Sequence, residues 1–99
     1  MSEIQSGDIF VYNIGTIKYP HFVRVESVDS GGSVRARMLD TEKYPANGSS
    51  GTMTPCINKP IGGSFSCRVE KTFDGRICLE IDGNYVAYRW NGEPWRYEN

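Results

Sequence analysis

Three clusters of turn-forming residues, Asp29-Ser30-Gly31-Gly32, Asp74-Gly75 and Asp82-Gly83-Asn84, each separate two short runs rich in β-branched and aromatic residues. Glycine, asparagine and aspartate adopt the positive φ angles that tight hairpins need, and alternation of apolar with polar residues is the mark of a half-buried strand. A chain punctuated this way folds by pairing neighbouring strands antiparallel, and it has little room for helices. The runs are Asp8 to Tyr12, His21 to Val28, Ser33 to Leu39, Ser64 to Thr72, Ile77 to Ile81 and Tyr85 to Trp90.

The pairing register follows from the turns. A Gly31-Gly32 loop sets Val25 against Met38 and Ser27 against Ala36, so that Val23, Val25, Val34, Ala36 and Met38 share one face. Arg24, Glu26, Arg35 and Arg37 fall on the other, the most basic spot in the chain. A Gly83-Asn84 loop sets Ile81 against Val86 and Leu79 against Tyr88, and directs Val86, Tyr88 and Trp90 inward. For the turn at Asp74-Gly75, only an odd-membered loop keeps the apolar residues together, pairing Phe73 with Ile77 and Val69 with Ile81.

Residues 40–63 contain three prolines and four glycines without alternation. They are expected to form a long irregular loop, with a weak strand over Gly51 to Thr54 ended by Pro55. Residues 1–6 are expected to be loose, and Asn13 to Pro20 to form a loop displaying Ile14, Ile17, Lys18 and Tyr19. Ninety-nine residues suit one domain. The expected fold is therefore a single all-β domain over 1–99, a small antiparallel barrel or strongly bent sheet of about six strands, SH3-like or related.

With 11 basic and 12 acidic side chains the net charge is -1, so no global polyanion-binding charge is visible. No apolar run is long enough to span a membrane. Cys56, Cys67 and Cys78 are three in number, which fits a reducing cytoplasm. Cys67 is expected to be buried and inert, and Cys78 to point outward beside Glu80, which makes it the more reactive thiol if exposed.

Catalysis needs a nucleophile, a base and an orienting group. His21 is the only histidine, no nucleophile signature surrounds the cysteines, and the cysteines lack the close ligand pairs of a structural zinc site. The expectation is a non-enzymatic protein without cofactor or metal. Two binding surfaces stand out. The closing segment offers Tyr85, Arg89, Trp95, Arg96 and Tyr97, residue types enriched in protein-binding hot spots, although Trp95 folded back on the barrel is equally consistent with the pattern. The alternative is nucleic-acid binding by Arg24, Arg35 and Arg37. A structural or assembly component, self-associating through an open sheet edge, is a third class.

Gly7-Asp8-Ile9-Phe10-Val11, then Gly15, Phe22 and Val25 before Ser33-Val34-Arg35-Ala36-Arg37, and finally Ala87-Tyr88-Arg89-Trp90-Asn91-Gly92-Glu93-Pro94 recur in this order in a set of small uncharacterised proteins of bacteriophages and prophages, which the chain resembles over nearly its whole length. In that family the opening strand runs into a Trp-Gly-Tyr-Asp-Gln-Thr-Asn segment, and the chain closes on an Ala-Tyr-Pro-Trp-Asp-Gly-Lys-Pro pattern. Here Ile14 stands at the tryptophan and Thr16 to Tyr19 replace the polar set, while Arg89, Asn91 and Glu93 replace the proline, the acid and the lysine. The resemblance implies a phage origin and no more; the expectation joined to it is a viral accessory protein in the host cytoplasm, binding a host bacterial protein or complex. Its size and lack of an evident active site suggest an anti-defence role, such as blocking a CRISPR effector; a homo-oligomer is compatible with all of this.

Overall fold

A computed structural model describes residues 4–13, 20–29, 31–44, 50–81, 83 and 85–98, none of them helical. The strands are β1 (Ile9–Asn13), β2 (Pro20–Val28), β3 (Ser33–Tyr44), β4 (Ser50–Lys71), β5 (Ile77–Ile81), β6 (Tyr85–Arg89) and β7 (Trp95–Glu98). They form one antiparallel sheet in the order β3-β2-β1-β6-β5-β4-β7, and β3 also pairs with β4. That extra pairing closes β1 to β6 into a six-stranded barrel, which removes the unpaired edges that an open sheet would present. Among the described residues no helix is long and apolar enough to cross a membrane.

The barrel is filled by one face of each strand, as the two-residue period requires. Phe10, Val23, Val25, Val34, Ala36, Leu79 and Ala87 have no exposed surface, and Tyr12, Cys67 and Ile81 complete the core with Ile4. Burying a large aliphatic or aromatic side chain contributes about 1.5–3 kcal/mol, so this layer dominates the stability of the domain. Ile4 shows that the start of the chain is not loose throughout. Gln5 donates its backbone N–H to Asp8 Oδ2, Ser6 Oγ donates to Glu26 O, and Gly7 N donates to Val25 O, which ties the segment onto β2.

The stretch expected as a loop over residues 40–63 is strand over 40–44 and from 50 onward. Alternation fails there because the ladder is interrupted. Arg37 of β3 lies opposite Gly62, Gly63 and Ser64, and Asp40 lies opposite residues 56–59. Gly62 takes φ +73°, a left-handed conformation that suits glycine at the first of these bulges. Pro60 and Pro55 stand at the two ends of the second, where a missing backbone donor does least harm. Distal β3 and the first half of β4 thus form an arm with β7, which pairs with Ser50 to Met53, and the molecule measures 43 × 29 × 23 Å.

Two hairpins keep the expected faces but shift register by two residues. Val25 pairs with Ala36 and Val69 with Leu79, while on the turn side of a bulge at Glu26 the β2–β3 shift is one residue, with Ser27 opposite Arg35. The third hairpin overturns the expectation. Ile81 pairs with Tyr85 and Leu79 with Ala87, so residues 82–84 make a three-residue connection and every β6 side chain changes face. Tyr85 and Ala87 face inward, while Val86 and Tyr88 face outward, 45% and 46% exposed. Volume explains the choice. Phe10 and Leu79 already fill the barrel at this level, and the methyl group of Ala87 fits where the Tyr88 ring would overpack. Phe73, expected to pair with Ile77, stands fully exposed at its turn. Ile14, Ile17, Lys18 and Tyr19 lie outside the described residues.

Candidate ligand-binding cleft

The outer face of the barrel carries a second hydrophobic cluster. Val11, Phe22 and Leu39 point away from the barrel core yet are buried, covered by Ile9, Trp90 and Trp95. The cover is the segment that follows β6. Trp90 donates its backbone N–H to Ile9 O at 2.9 Å and packs its ring edge-on against Phe22, with centroids 5.7 Å apart. Trp95 then enters β7 opposite Met53 of the arm. Residues 90–94 therefore act as a strap from the barrel to the arm.

Local hydrogen bonds shape this strap. The Trp90 indole N–H donates to Glu93 O at 2.7 Å, the Glu93 N–H donates to Asn91 Oδ1 at 2.9 Å, and Gly92 takes φ +87°. An asparagine that accepts from the backbone two residues on, followed by glycine, is a turn held by its own side chain. The turn presents Pro94 and the two tryptophans as one wall.

Between this wall and the outward face of β6 lies a cleft of about 710 Å³. Val11, Val86 and Tyr88 form its floor, Trp90, Pro94 and Trp95 its wall, and Arg76, Arg89, Arg96 and Glu93 supply its charges. A further hollow of about 340 Å³ shares Arg76, Tyr88 and Arg89 with it and adds Ile77. An apolar concavity with a few convergent charged groups is the form that ligand sites take.

Two of the arginines, Arg76 and Arg89, are oriented before any ligand arrives. Arg76 Nε donates to Asp74 Oδ2 at 3.1 Å, and its guanidinium carbon lies 6.0 Å from the Tyr88 ring centroid. The turn beneath it is tightly tied. Thr72 Oγ1 donates to Asp74 Oδ1 and accepts from Arg76 N at 3.0 Å, while Thr72 N donates to Arg76 O at 2.8 Å. The Thr72 hydrogen bond, and after it the Arg76 charge, hold the Asp74 carboxyl below its ordinary range. Arg89 Nη1 donates to Asp8 Oδ2 at 2.9 Å, and its guanidinium carbon lies 5.2 Å from the Phe10 ring centroid. Arg96 extends from β7 opposite Thr52, exposed, and makes no ion pair among the described residues.

Of the residues expected to form an aromatic binding tail, Arg89, Trp95 and Arg96 meet at the cleft. Tyr85 does not. The register of β6 turns it inward, where it stacks on Tyr12 at 5.8 Å. The side chain of Tyr97 lies outside the described part of the molecule. Trp95 serves both readings at once, packing on the outer cluster with one part of its surface and lining the cleft with another.

Arg24, Arg35 and Arg37 share one outward face of β2 and β3, but each is engaged. Arg37 Nε lies 3.3 Å from Glu26 Oε2 without hydrogen-bond geometry. Arg24 Nη1 donates to Ile57 O at 3.5 Å, and Arg35 Nη1 to Ser64 Oγ at 3.4 Å. Sequence reasoning missed Arg76, Tyr88, Trp90 and Pro94 as partners in one site. The local signal for Tyr88 pointed inward because it depended on the size of a single turn.

The titratable groups elsewhere are subdued. Burial pushes the Cys67 thiol up to about 11. Cys78 lies on the outward side of β5, as expected, but is buried rather than exposed, and burial together with the Glu70 charge raises its thiol too, so it is not the reactive cysteine. His21 stacks on Tyr12 at 5.3 Å, and burial lowers its imidazole. Among the described residues no group of three or more His, Cys, Asp or Glu side chains is gathered to hold a metal ion. Comparison with protein-family models, with curated proteins and with solved structures returned no match.

Proposed function

We propose that the protein is a non-enzymatic binding module that docks on another protein through the cleft beneath the strap and the outward face of β6. The observation that carries this reading is the exposure of large apolar side chains on that side of a small barrel. Tyr88 and Val86 stand 46% and 45% exposed on the cleft floor, and Phe73 is fully exposed on the turn that also holds Arg76. Rigid aromatic anchors beside arginine, with the backbone already ordered, form a favourable hot-spot surface because little conformational entropy is lost on binding. The resemblance to small phage proteins, whose closing motif supplies the strap, supports an accessory protein acting on a host bacterial protein or complex in the cytoplasm, of the anti-defence kind.

The test is capture from nuclease-treated bacterial lysate by the tagged protein and by two variants. A Tyr88→Ala, Phe73→Ala variant removes exposed rings without opening the core, and an Arg35→Gln, Arg37→Gln variant neutralises the other surface. A host protein retained stoichiometrically by the natural chain and the arginine variant, and lost by the aromatic variant, is the expected result. Retention of nucleic acid alone, abolished by nuclease and by the arginine variant, would replace the reading with the β2–β3 surface.

A further inference from the structure

The charges around the cleft define what kind of segment it takes. Three arginines and one glutamate are among its lining residues, and the Arg89 guanidinium is already turned to Asp8 and the buried Phe10 ring. Asp74 uses only Nε of Arg76, so the Nη groups of that guanidinium are donors for a second acceptor. Arg96, exposed and without an ion pair among the described residues, also lines the cleft. The Tyr88 ring, 6.0 Å from the Arg76 guanidinium carbon, lines the same cleft as a flat apolar seat. An occupant that satisfies both features carries carboxylates flanking a large apolar side chain.

The neighbouring surface argues for a peptide over a polyanion. Across the outside of the barrel, Glu80 pairs with Val86 and Glu70 with Cys78, which in turn pairs with Tyr88. Two carboxylates therefore border the apolar floor on the β5 and β4 side, with Arg68 opposite Glu80 and 3.8 Å from Glu70, so this border is mixed in charge. A nucleic-acid strand carries a phosphate at every step and would find no continuous positive track across this mixed border as it left the arginines. A peptide places its acids where the arginines are and can leave uncharged residues for the mixed border.

We propose that the cleft takes an acidic segment of a partner protein, seating one large apolar side chain on Tyr88 and meeting flanking carboxylates with Arg76 and Arg96. This rests on the protein-docking reading above and adds the chemistry of the partner. Charge-assisted hydrogen bonds from arginine to carboxylate are strong and directional, which suits a segment recognised by few contacts.

A random library of ten-residue peptides displayed on yeast, sorted on the immobilised full chain, tests it. Retained peptides should be enriched in Asp and Glu around an apolar residue, and an Arg76→Glu, Arg96→Glu variant should invert the enrichment toward Lys and Arg. Trp90 and Trp95 are the chain's two tryptophans and both line the cleft, so their fluorescence reports binding of a selected peptide directly. Arg96→Gln should weaken that peptide about tenfold. Glu93→Gln should tighten it about threefold, a gain that misfolding would not produce. The turn survives this last change because Trp90 bonds the Glu93 backbone.

Enrichment that depends on Tyr88 but ignores Arg76 and Arg96 would overturn the acidic specificity and leave the docking reading intact. Retention of no peptide in a Tyr88-dependent way would overturn both. Displacement of a selected peptide by a ten-nucleotide oligothymidylate, with direct fluorescence-detected binding of the oligonucleotide, would assign the cleft to nucleic acid instead.

Discussion

The molecule buries two hydrophobic clusters by different means. Inside the barrel, six strands contribute one face each, and closure of the sheet seals the cluster from all sides. Outside it, Val11, Phe22 and Leu39 are covered from one side only, by Ile9 of β1, by Trp90 of the strap and by Trp95 of β7, the last two outside the closed ring. The first is a product of strand alternation. The second depends on the chain coming back. A cover of this kind is where a small β-barrel can build a recognition surface without weakening its core, because the lid's inner side packs and its outer side meets the ligand.

The sharpest break of the comparison is Leu79→Ala in the inner cluster, where the side chain has no exposed surface. Truncating a buried leucine costs about 2–5 kcal/mol, including the cavity left behind. Against a total of about 5–15 kcal/mol for a domain, that removes a large part of the stability. Urea denaturation should show a pronounced drop in midpoint, with the slope unchanged. A loss below about 1 kcal/mol would mean the barrel interior is looser than its zero exposures imply.

Trp95→Ala tests the outer cluster, and its effect should be smaller. Full burial of tryptophan would set the loss at about 3–5 kcal/mol; Trp95 is half-buried and its lid side is wet, so about 1–2 kcal/mol is expected. Far-UV circular dichroism of the barrel should persist, and hydrogen exchange should quicken at Gly51 to Met53, where β7 pairs, before it quickens at Arg68 to Lys71. A loss equal to that of Leu79→Ala, with uniform exchange, would show that the two clusters unfold as one.

The same division explains what was legible in the sequence. The inner cluster was readable wherever alternation is uninterrupted: Val23, Val25, Val34, Ala36 and Val69 keep their faces even though two hairpins are shifted by two residues, since an even shift preserves the face. The β5–β6 hairpin failed by a single loop residue, and that residue decided whether Tyr88 was core or cleft. The arm over 40–44 and 50–63 was illegible for another reason. Bulges at Gly62-Gly63 and at residues 56–59 break the two-residue period, and proline beside them mimics a loop. Of the site, Arg89, Trp95 and Arg96 were visible as composition, but Arg76 is brought in by a turn from elsewhere in the chain, which no local pattern records.

The smallest expected effect concerns His21, which sits between the two clusters. Its neighbour Phe22 belongs to the outer one, while its own ring stacks on Tyr12 of the inner one. Asp40 and Lys43 share with it a hollow of about 290 Å³, and neither offers its Nε2 a hydrogen bond. Burial lowers the imidazole below its ordinary 6.5, so the folded protein binds this proton less readily than the unfolded chain. Between the folded value and 6.5 the unfolded state therefore holds more protons, and stability must rise with pH across that window. It is complete above about pH 6.5, declines as pH falls through it, and levels off below the folded value. Carboxylates add their own loss at lower pH, so the informative quantity is the difference between the natural chain and His21→Phe, in which the stack is kept and the titration removed. Thermal melts at pH 7.5 and pH 5 should show a smaller acid-induced drop in Tm for the variant. An equal drop in both would mean that the ring takes up its proton inside the fold, and that the boundary between the two clusters is open to water.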